Sequence, residues 1–171
     1  MLHGLAPVID ARARVLILGS FPSAASLAAQ QYYAHPQNQF WRILGAVIGQ
    51  PLAAMDYPAR IAAVQDAGIA IWDVYASCER AGSLDAAIRA AQPNPLGEIK
   101  ELALAGPRSG IPGRQSPLRR ICFNGRMAAR RVREVESLGF EAVVLPSTSP
   151  ANAGWSFERK LAAWREALPM G

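Results

Sequence analysis

Val15-Leu16-Ile17-Leu18-Gly19-Ser20-Phe21-Pro22-Ser23 is an apolar run that breaks off at a glycine followed by small and polar residues. Four aliphatic residues in a row before a turn signal read as a strand buried on both faces. In open α/β sheets the loop at the carboxyl end of such a strand is where ligands bind. Soon afterwards Tyr32-Tyr33-Ala34-His35-Pro36-Gln37-Asn38-Gln39-Phe40-Trp41 packs aromatic, amide, imidazole and proline side chains into a few positions. A loop kept for solubility alone has no need of that mixture.

Outward from this stretch, Asn38 to Ile48 carries Phe40, Trp41, Ile43, Leu44, Val47 and Ile48 at helical spacing. Asp56-Tyr57-Pro58 opens a second helix that runs to about Asp66. Gly68 ends it, and Ile69 to Tyr75 follows as the second strand. Ser83-Leu84-Asp85 has the form of a helix start leading into Ala86 to Ala91, and Leu96 to Leu104 forms another helix after Pro93-Asn94-Pro95. Gly106 to Pro117 is rich in glycine and proline and is expected to be a mobile loop. Arg120 to Asn124 is the third strand, turning at Gly125 into a basic helix, Arg126 to Leu138. Glu141 to Leu145 is the fourth strand, and a helix from Trp155 to Leu168 closes the fold.

Strands alternating with helices imply right-handed crossovers, hence an α/β protein: a three-layer α/β/α sandwich around a four-stranded, mainly parallel sheet. A length of 171 residues with 51% hydrophobic content suits one domain spanning 1–171. If the strands are parallel, the segments Gly19-Ser20, Tyr75-Ala76-Ser77, Asn124-Gly125 and Pro146-Ser147-Thr148-Ser149 gather on one edge, where a pocket can form.

Composition removes several classes. Cys78 and Cys122 are the only cysteines, so no disulfide framework and no four-cysteine cluster can be built. A zinc site would have to recruit His3 and His35 at spacings unlike any closed zinc motif. No metal and no other cofactor is expected. No apolar run is long enough to span a bilayer, and Met1 to Pro7 lacks the features of a secretory signal. The expectation is a cytoplasmic, monomeric protein with no membrane partner. A formal charge of +5 and a pI of about 9.8 suit a polyanion. The charge is carried almost wholly by arginine, with Lys100 and Lys160 the only lysines. Arginine suits phosphate contacts, though a GC-rich genome using arginine by default explains the same composition.

Gly19 to Ser23, Tyr32 to Trp41, and Leu145-Pro146-Ser147-Thr148-Ser149-Pro150-Ala151-Asn152-Ala153 together resemble the motifs of the uracil-DNA glycosylase superfamily, and most closely its hypoxanthine (deoxyinosine) branch. The motifs sit near opposite ends of the chain, so the resemblance covers nearly all of it. It implies a DNA glycosylase acting on DNA that contains a deaminated base. Some branches of that superfamily carry an iron–sulfur cluster on four cysteines, which this chain cannot build.

Cleaving an N-glycosidic bond to a purine requires the base to be held outside the helix, its departing charge stabilised, and a water placed at the anomeric carbon. An amide positions such a water by accepting its hydrogen bond. The resemblance makes Asn38 the catalytic residue in that role; capping the helix is its other reading. Phe21 stands where uracil-specific relatives place an acidic residue or asparagine, and an apolar ring cannot orient water. Tyr33 matches the aromatic position that stacks on the flipped base, although a tyrosine there can equally pack into the core, as Tyr32 can. Asp73 is placed to accept from N1–H of hypoxanthine, with a salt bridge or a cap as its alternatives. Asn124 and the backbone around Gly19 and Ser20 are further candidates for the pocket wall.

The loop Ser147, Thr148, Ser149, Pro150, Ala151 resembles the one that enters the minor groove and holds phosphates, with Ala151 where relatives carry a leucine wedge; a turn into the last helix is the plainer reading. His35 either fixes its loop or meets a phosphate. Arg126 and Arg130 would share a face of a basic helix that could track DNA or simply be solvated. Schiff-base chemistry needs a lysine near the sugar. Lys100 and Lys160 both fall outside the matched motifs, so base removal alone is expected, leaving the abasic site intact. A mismatch-directed uracil glycosylase, a non-catalytic damaged-base binding module and a nucleoside hydrolase are the alternatives.

Overall fold

The computed structural model describes residues 1–105 and 115–168. In chain order the elements are β1 (Leu2–His3), β2 (Val15–Gly19), α1 (Ala24–Ala29), α2 (Phe40–Ile48), α3 (Tyr57–Asp66), β3 (Ile69–Asp73), β4 (Tyr75–Glu79), β5 (Arg89–Pro93), α4 (Ile99–Leu104), β6 (Arg120–Asn124), α5 (Val132–Ser137), β7 (Glu141–Leu145) and α6 (Phe157–Ala167). The main sheet has the order β3-β2-β6-β7, and every neighbouring pair is parallel. The chain leaves β2 toward one edge and β6 toward the other, so the order reverses between β2 and β6. In a parallel sheet that reversal opens a crevice at the carboxyl ends.

The aliphatic runs need cover on both faces, and side-chain alternation divides them cleanly. Leu16, Leu18, Ala70, Trp72, Ile121 and Phe123 pack with Ile99 and Leu102 of α4 and Val135 of α5. Ile17, Ile69, Ile71 and Cys122 face the other way, against Phe40, Ile43 and Leu44 of α2, Val64 of α3 and Trp164 of α6. Helices therefore cover both faces of the sheet, giving the three layers expected from the sequence.

Several local expectations give way. The stretch Ala86 to Ala91 is not helical: a short 3-10 turn at Asp85–Ala87 leads into β5, which pairs antiparallel with β4. Alanine supplies helix propensity but almost no apolar side chain to bury, and the ladder offered by β4 outweighs propensity. The second strand stops at Asp73, and after Val74 the chain enters a separate three-stranded sheet of order β1-β4-β5. The basic segment begins as a 3-10 turn at Ala128–Arg131 and becomes α-helical only at Val132. Helix α1, capped by the Ser23 hydroxyl on the Ser26 N–H, occupies part of what reads as a long loop. Of the expected mobile loop Gly106 to Pro117, residues 106–114 lie outside the described residues.

Gly45, inside α2, faces the chain that follows the helix: a Cβ there would stand 2.6 Å from the Gln50 carbonyl oxygen and 3.3 Å from the Leu52 nitrogen. Alanine favours an exposed helix interior by about 1 kcal/mol over glycine, but a backbone atom cannot step aside as a flexible side chain can. Gly45→Ala is therefore expected to destabilise the protein by about 1–3 kcal/mol in urea unfolding; an unchanged or raised midpoint would contradict the close approach.

Candidate active site

A cavity of about 740 Å³ opens at the carboxyl edge of the main sheet, and Gly19, Asp73, Asn124 and Leu145, the last residues of its four strands, all line it. Parallel strands bring chain-distant residues to one edge, so the two ends of the sequence meet here. The second strand contributes Asp73 rather than the expected Tyr75 to Ser77, because β3 ends earlier.

Asn124 organises the wall. Its Oδ1 accepts from the Thr148 N–H at 3.0 Å, and its Nδ2 donates to Thr148 Oγ1 at 3.0 Å and to the Tyr33 hydroxyl at 3.2 Å. Both amide hydrogens are thus committed inside the protein, so Asn124 shapes the pocket from behind and its amide hydrogens are not free for a base. Thr148 is fully buried and its carbonyl accepts from the Gln39 N–H at 3.0 Å. Thr148 thus borders the cavity while bracing the loop from within, unlike the more open hydroxyls of Ser147 and Ser149 beside it.

Tyr33 holds a left-handed backbone conformation, φ 53°, which a bulky residue adopts only when its surroundings demand it. Two contacts supply the demand: the bond from Asn124, and a stack on Phe40 with centroids 3.8 Å apart and planes 15° from parallel. Phe40 covers one face of the ring, and Tyr33 lines the cavity. Tyr32 turns into the core, its hydroxyl donating to the Ala6 carbonyl at 2.8 Å.

Gly19 leaves the room in which these groups meet. A Cβ at this position would lie 2.6 Å from Asp73 Oδ1 and 2.9 Å from the Tyr33 hydroxyl. Asp73 is buried, and its Oδ2 has no hydrogen-bond partner among the described residues. Burial first, and then the carboxylate of Asp85, push its carboxyl up to about 7 against a smaller opposing pull from Arg80. The Tyr33 hydroxyl is also pushed up, by burial and then by Asp73, and stays protonated. Ser20 is buried and donates to Asp85 Oδ1 at 2.7 Å. Phe21, also buried, packs in the core and lines the cavity, with the Arg80 guanidinium 5.3 Å from its ring centroid.

Asn38 is half-buried and lines the cavity rather than the core. Its Oδ1 accepts from the Phe40 N–H at 3.0 Å, which caps α2 and at the same time fixes the direction of the amide. A carbonyl oxygen has two lone pairs, so the cap leaves one acceptor site. His35 also lines the cavity; its Nδ1 accepts from the Gln37 N–H at 3.1 Å, and its carbonyl from the Asn38 N–H.

In the loop after β7, Ser147 Oγ accepts from the Ser149 N–H and Ser149 Oγ from the Ala151 N–H, so both hydroxyl hydrogens remain able to donate outward. Ala151 lines the cavity and Pro150 is exposed beside it. Arg126 and Arg130 are both exposed, but Arg126 lies before the first helical turn, so the shared α-helical face does not exist and only Arg126 lines the cavity. Lys160 is buried in α6, donating from Nζ to Gln39 Oε1 at 3.0 Å; burial lowers its pKa. Neither lysine lines the cavity.

Sequence reasoning missed the segment that follows β4. Ser83, Leu84 and Asp85 line the cavity, tied to the turn after β2 by the Ser20–Asp85 bond and by the Ala24 N–H on Ser83 Oγ. No local signal could have found them, since the partners are 65 and 59 residues apart. Among the described residues no group of three or more His, Cys, Asp or Glu side chains is close enough to hold a metal ion.

A parallel sheet with a crevice at its order reversal, glycine at the floor and an amide, a tyrosine and a buried acid around it defines an α/β protein with a closed-in site for a planar, polar ring. The chain belongs to the uracil DNA glycosylase superfamily, whose model matches residues 6–168. It is 38% identical over 158 residues to a hypoxanthine DNA glycosylase of Methanosarcina acetivorans, covering 92% of each chain. It is 34% identical over 166 residues to a hypoxanthine DNA glycosylase of Methanosarcina barkeri, covering 97% of each. The solution NMR structure of a candidate uracil DNA glycosylase from M. acetivorans superposes with a TM-score of 0.80 at 36% identity, covering 96% of this chain and 97% of that one.

The raised carboxyl of Asp73 has a stability signature. Between its ordinary value of 3.8 and about 7 the folded state holds a proton that the unfolded chain has released, so this group's contribution falls as pH rises through that window and is flat above it. Asp73→Asn is expected to gain roughly 3–5 kcal/mol relative to the wild type between pH 4 and pH 8. Chemical unfolding of both proteins across that range checks it, and parallel curves would contradict it.

Proposed function

We propose that the protein is a monofunctional DNA glycosylase that hydrolyses the N-glycosidic bond of deaminated bases in DNA, hypoxanthine first among them, as a single-domain monomer in the cytoplasm. The observation that carries the reading is the Asn38 amide, locked by the Phe40 N–H at the wall of the cavity with one acceptor site open. That family membership spans nearly the whole chain, and that two relatives of matching length are hypoxanthine DNA glycosylases, supports it further.

In this reaction the base enters the cavity and stacks on the face of Tyr33 away from Phe40, worth about 1–3 kcal/mol. Asn38 accepts a hydrogen bond from a water and directs its oxygen at the anomeric carbon. The bond from that carbon to the base breaks and its electron pair leaves with the base; the water oxygen takes its place, and the proton it then sheds passes through solvent to the departing base, which leaves neutral. Positioning matters because the transition state is a short-lived cation-like sugar, and a misplacement of about 1 Å costs on the order of 100-fold. Asp73 faces the base edge: ionised, it accepts from N1–H of hypoxanthine; protonated, it also donates to O6. Gly19 and Ser20 form the floor, and Phe21 supports it.

Ser147, Ser149, Pro150, Ala151, His35 and Arg126 meet the strand around the extruded nucleotide, the hydroxyls donating to phosphate oxygens. Arg130 adds charge farther from the cavity. That neither lysine lines the cavity supports hydrolysis without lyase chemistry.

Release of free base from duplexes bearing single deoxyinosine, deoxyuridine or deoxyxanthosine residues tests the activity and ranks the substrates. No release from any of them would end the proposal; release of uracil alone would make it a uracil glycosylase. Asn38→Ala is expected to lower turnover about 100-fold or more while the duplex dissociation constant changes by less than about threefold. Unimpaired turnover would move the water-directing role elsewhere.

A further inference from the structure

Among the described residues five large apolar side chains are exposed: Met1, Leu84, Leu138, Val144 and Trp155. Three of them, Leu84, Val144 and Trp155, line the same cavity. An apolar rim left in water around a polar hollow is a surface that a partner covers. The charge around it fits a polyanion, since Arg126 lines the cavity and Arg159 is exposed beside Trp155.

Trp155 lies in the segment between β7 and α6, four residues beyond Ala151, and is 36% exposed. The Arg159 guanidinium sits 4.1 Å from its ring centroid, on one face. That contact holds the ring at the cavity rim, with a third of its surface still open to solvent. Ala151, on the same loop, ends in a methyl group and cannot reach far beyond the backbone.

Turning a nucleotide out of a duplex costs a few kcal/mol of lost stacking and pairing. A flat apolar side chain pushed into the vacated gap recovers part of it. We propose that Trp155 is the side chain that enters the duplex and fills the gap left by the extruded nucleotide, with Arg159 stacked behind it and its charge toward the adjacent phosphate. The proposal rests on the DNA glycosylase reading and deepens it by naming what holds the helix open.

Intrinsic fluorescence reads this directly. The other three tryptophans, Trp41, Trp72 and Trp164, are 4%, 5% and 0% exposed, so quenching by acrylamide reports chiefly on Trp155. A duplex carrying a tetrahydrofuran abasic analogue is expected to remove most of the acrylamide-accessible emission, and an undamaged duplex to remove much less. Trp155→Ala is expected to lower the ratio of duplex to single-strand affinity for the same analogue about tenfold, and Trp155→Phe to restore it to within about threefold. Trp155 still open to acrylamide in the complex would overturn the proposal, as would an unchanged ratio in Trp155→Ala, or a loss that falls on Leu84→Ala instead. Because the abasic analogue needs no catalysis, these outcomes separate from a failure of the wild type to release hypoxanthine, which would bring down the glycosylase reading itself.

Discussion

The side-chain amide of Asn124 holds the carboxyl edge of the sheet together. One acceptor and two donors on a single group tie the end of β6 to the loop after β7, through Thr148, and to the loop after α1, through Tyr33. Thr148 in turn accepts from Gln39, and the Gln39 side chain accepts from buried Lys160. Buried networks of this kind are stiff because each member left without its partner would be an unpaired polar group in a low-dielectric interior. Asn38 sits one residue before Gln39, so the amide facing the cavity is anchored by a chain of bonds that reaches Lys160, 121 residues away along the sequence. Gly19 completes the constraint, since a methyl group there would collide with Asp73 and Tyr33 at once.

Charge is distributed to suit that arrangement. The cavity floor keeps a poorly solvated carboxyl group whose proton the Asp85 charge helps to hold, against a smaller pull from Arg80. A carboxyl that titrates near pH 7 can accept a hydrogen bond in either protonation state and donate one when protonated. Several arginines among the described residues, by contrast, are committed to the fold. Arg12 bonds to Asp10 and Asp66, Arg60 to the carbonyls of Met55 and Ala53, and Arg120 to Glu141 and the Ala167 carbonyl. Arg126 and Arg159, near the cavity mouth, are positions among the described residues where positive charge and the apolar rim coincide.

The two sheets explain how a fold of this size encloses so large a cavity. The bend after Asp73 takes the chain out of the parallel sheet and into the antiparallel one, and the segment from Arg80 to Asp85 returns over the turn after β2. Arg80 bonds to the Pro22 carbonyl, Ser83 to the Ala24 N–H and Asp85 to Ser20, three separate attachments along six residues. The same segment raises Leu84 at the cavity rim and brings Asp85 near Asp73.

Composition and periodicity alone determined the four parallel strands, their helical cover and the edge on which the site lies, because burial on two faces leaves its mark residue by residue in Val15 to Leu18, Ile69 to Trp72 and Ile121 to Phe123. The motifs that carry the superfamily resemblance singled out Asn38 and Tyr33, since both belong to one short contiguous stretch. What only the tertiary structure decided is where contacts distant in the chain prevail over local preference. Alanine-rich Ala86 to Ala91 joins a sheet because β4 offers it a ladder, Thr148 turns inward because Asn124 requires both its N–H and its hydroxyl, and Asp85 becomes part of the site through a serine 65 residues away. Hydrogen bonds and ion pairs between distant segments depend on where the folded backbone brings them, and no periodicity along the chain records that distance.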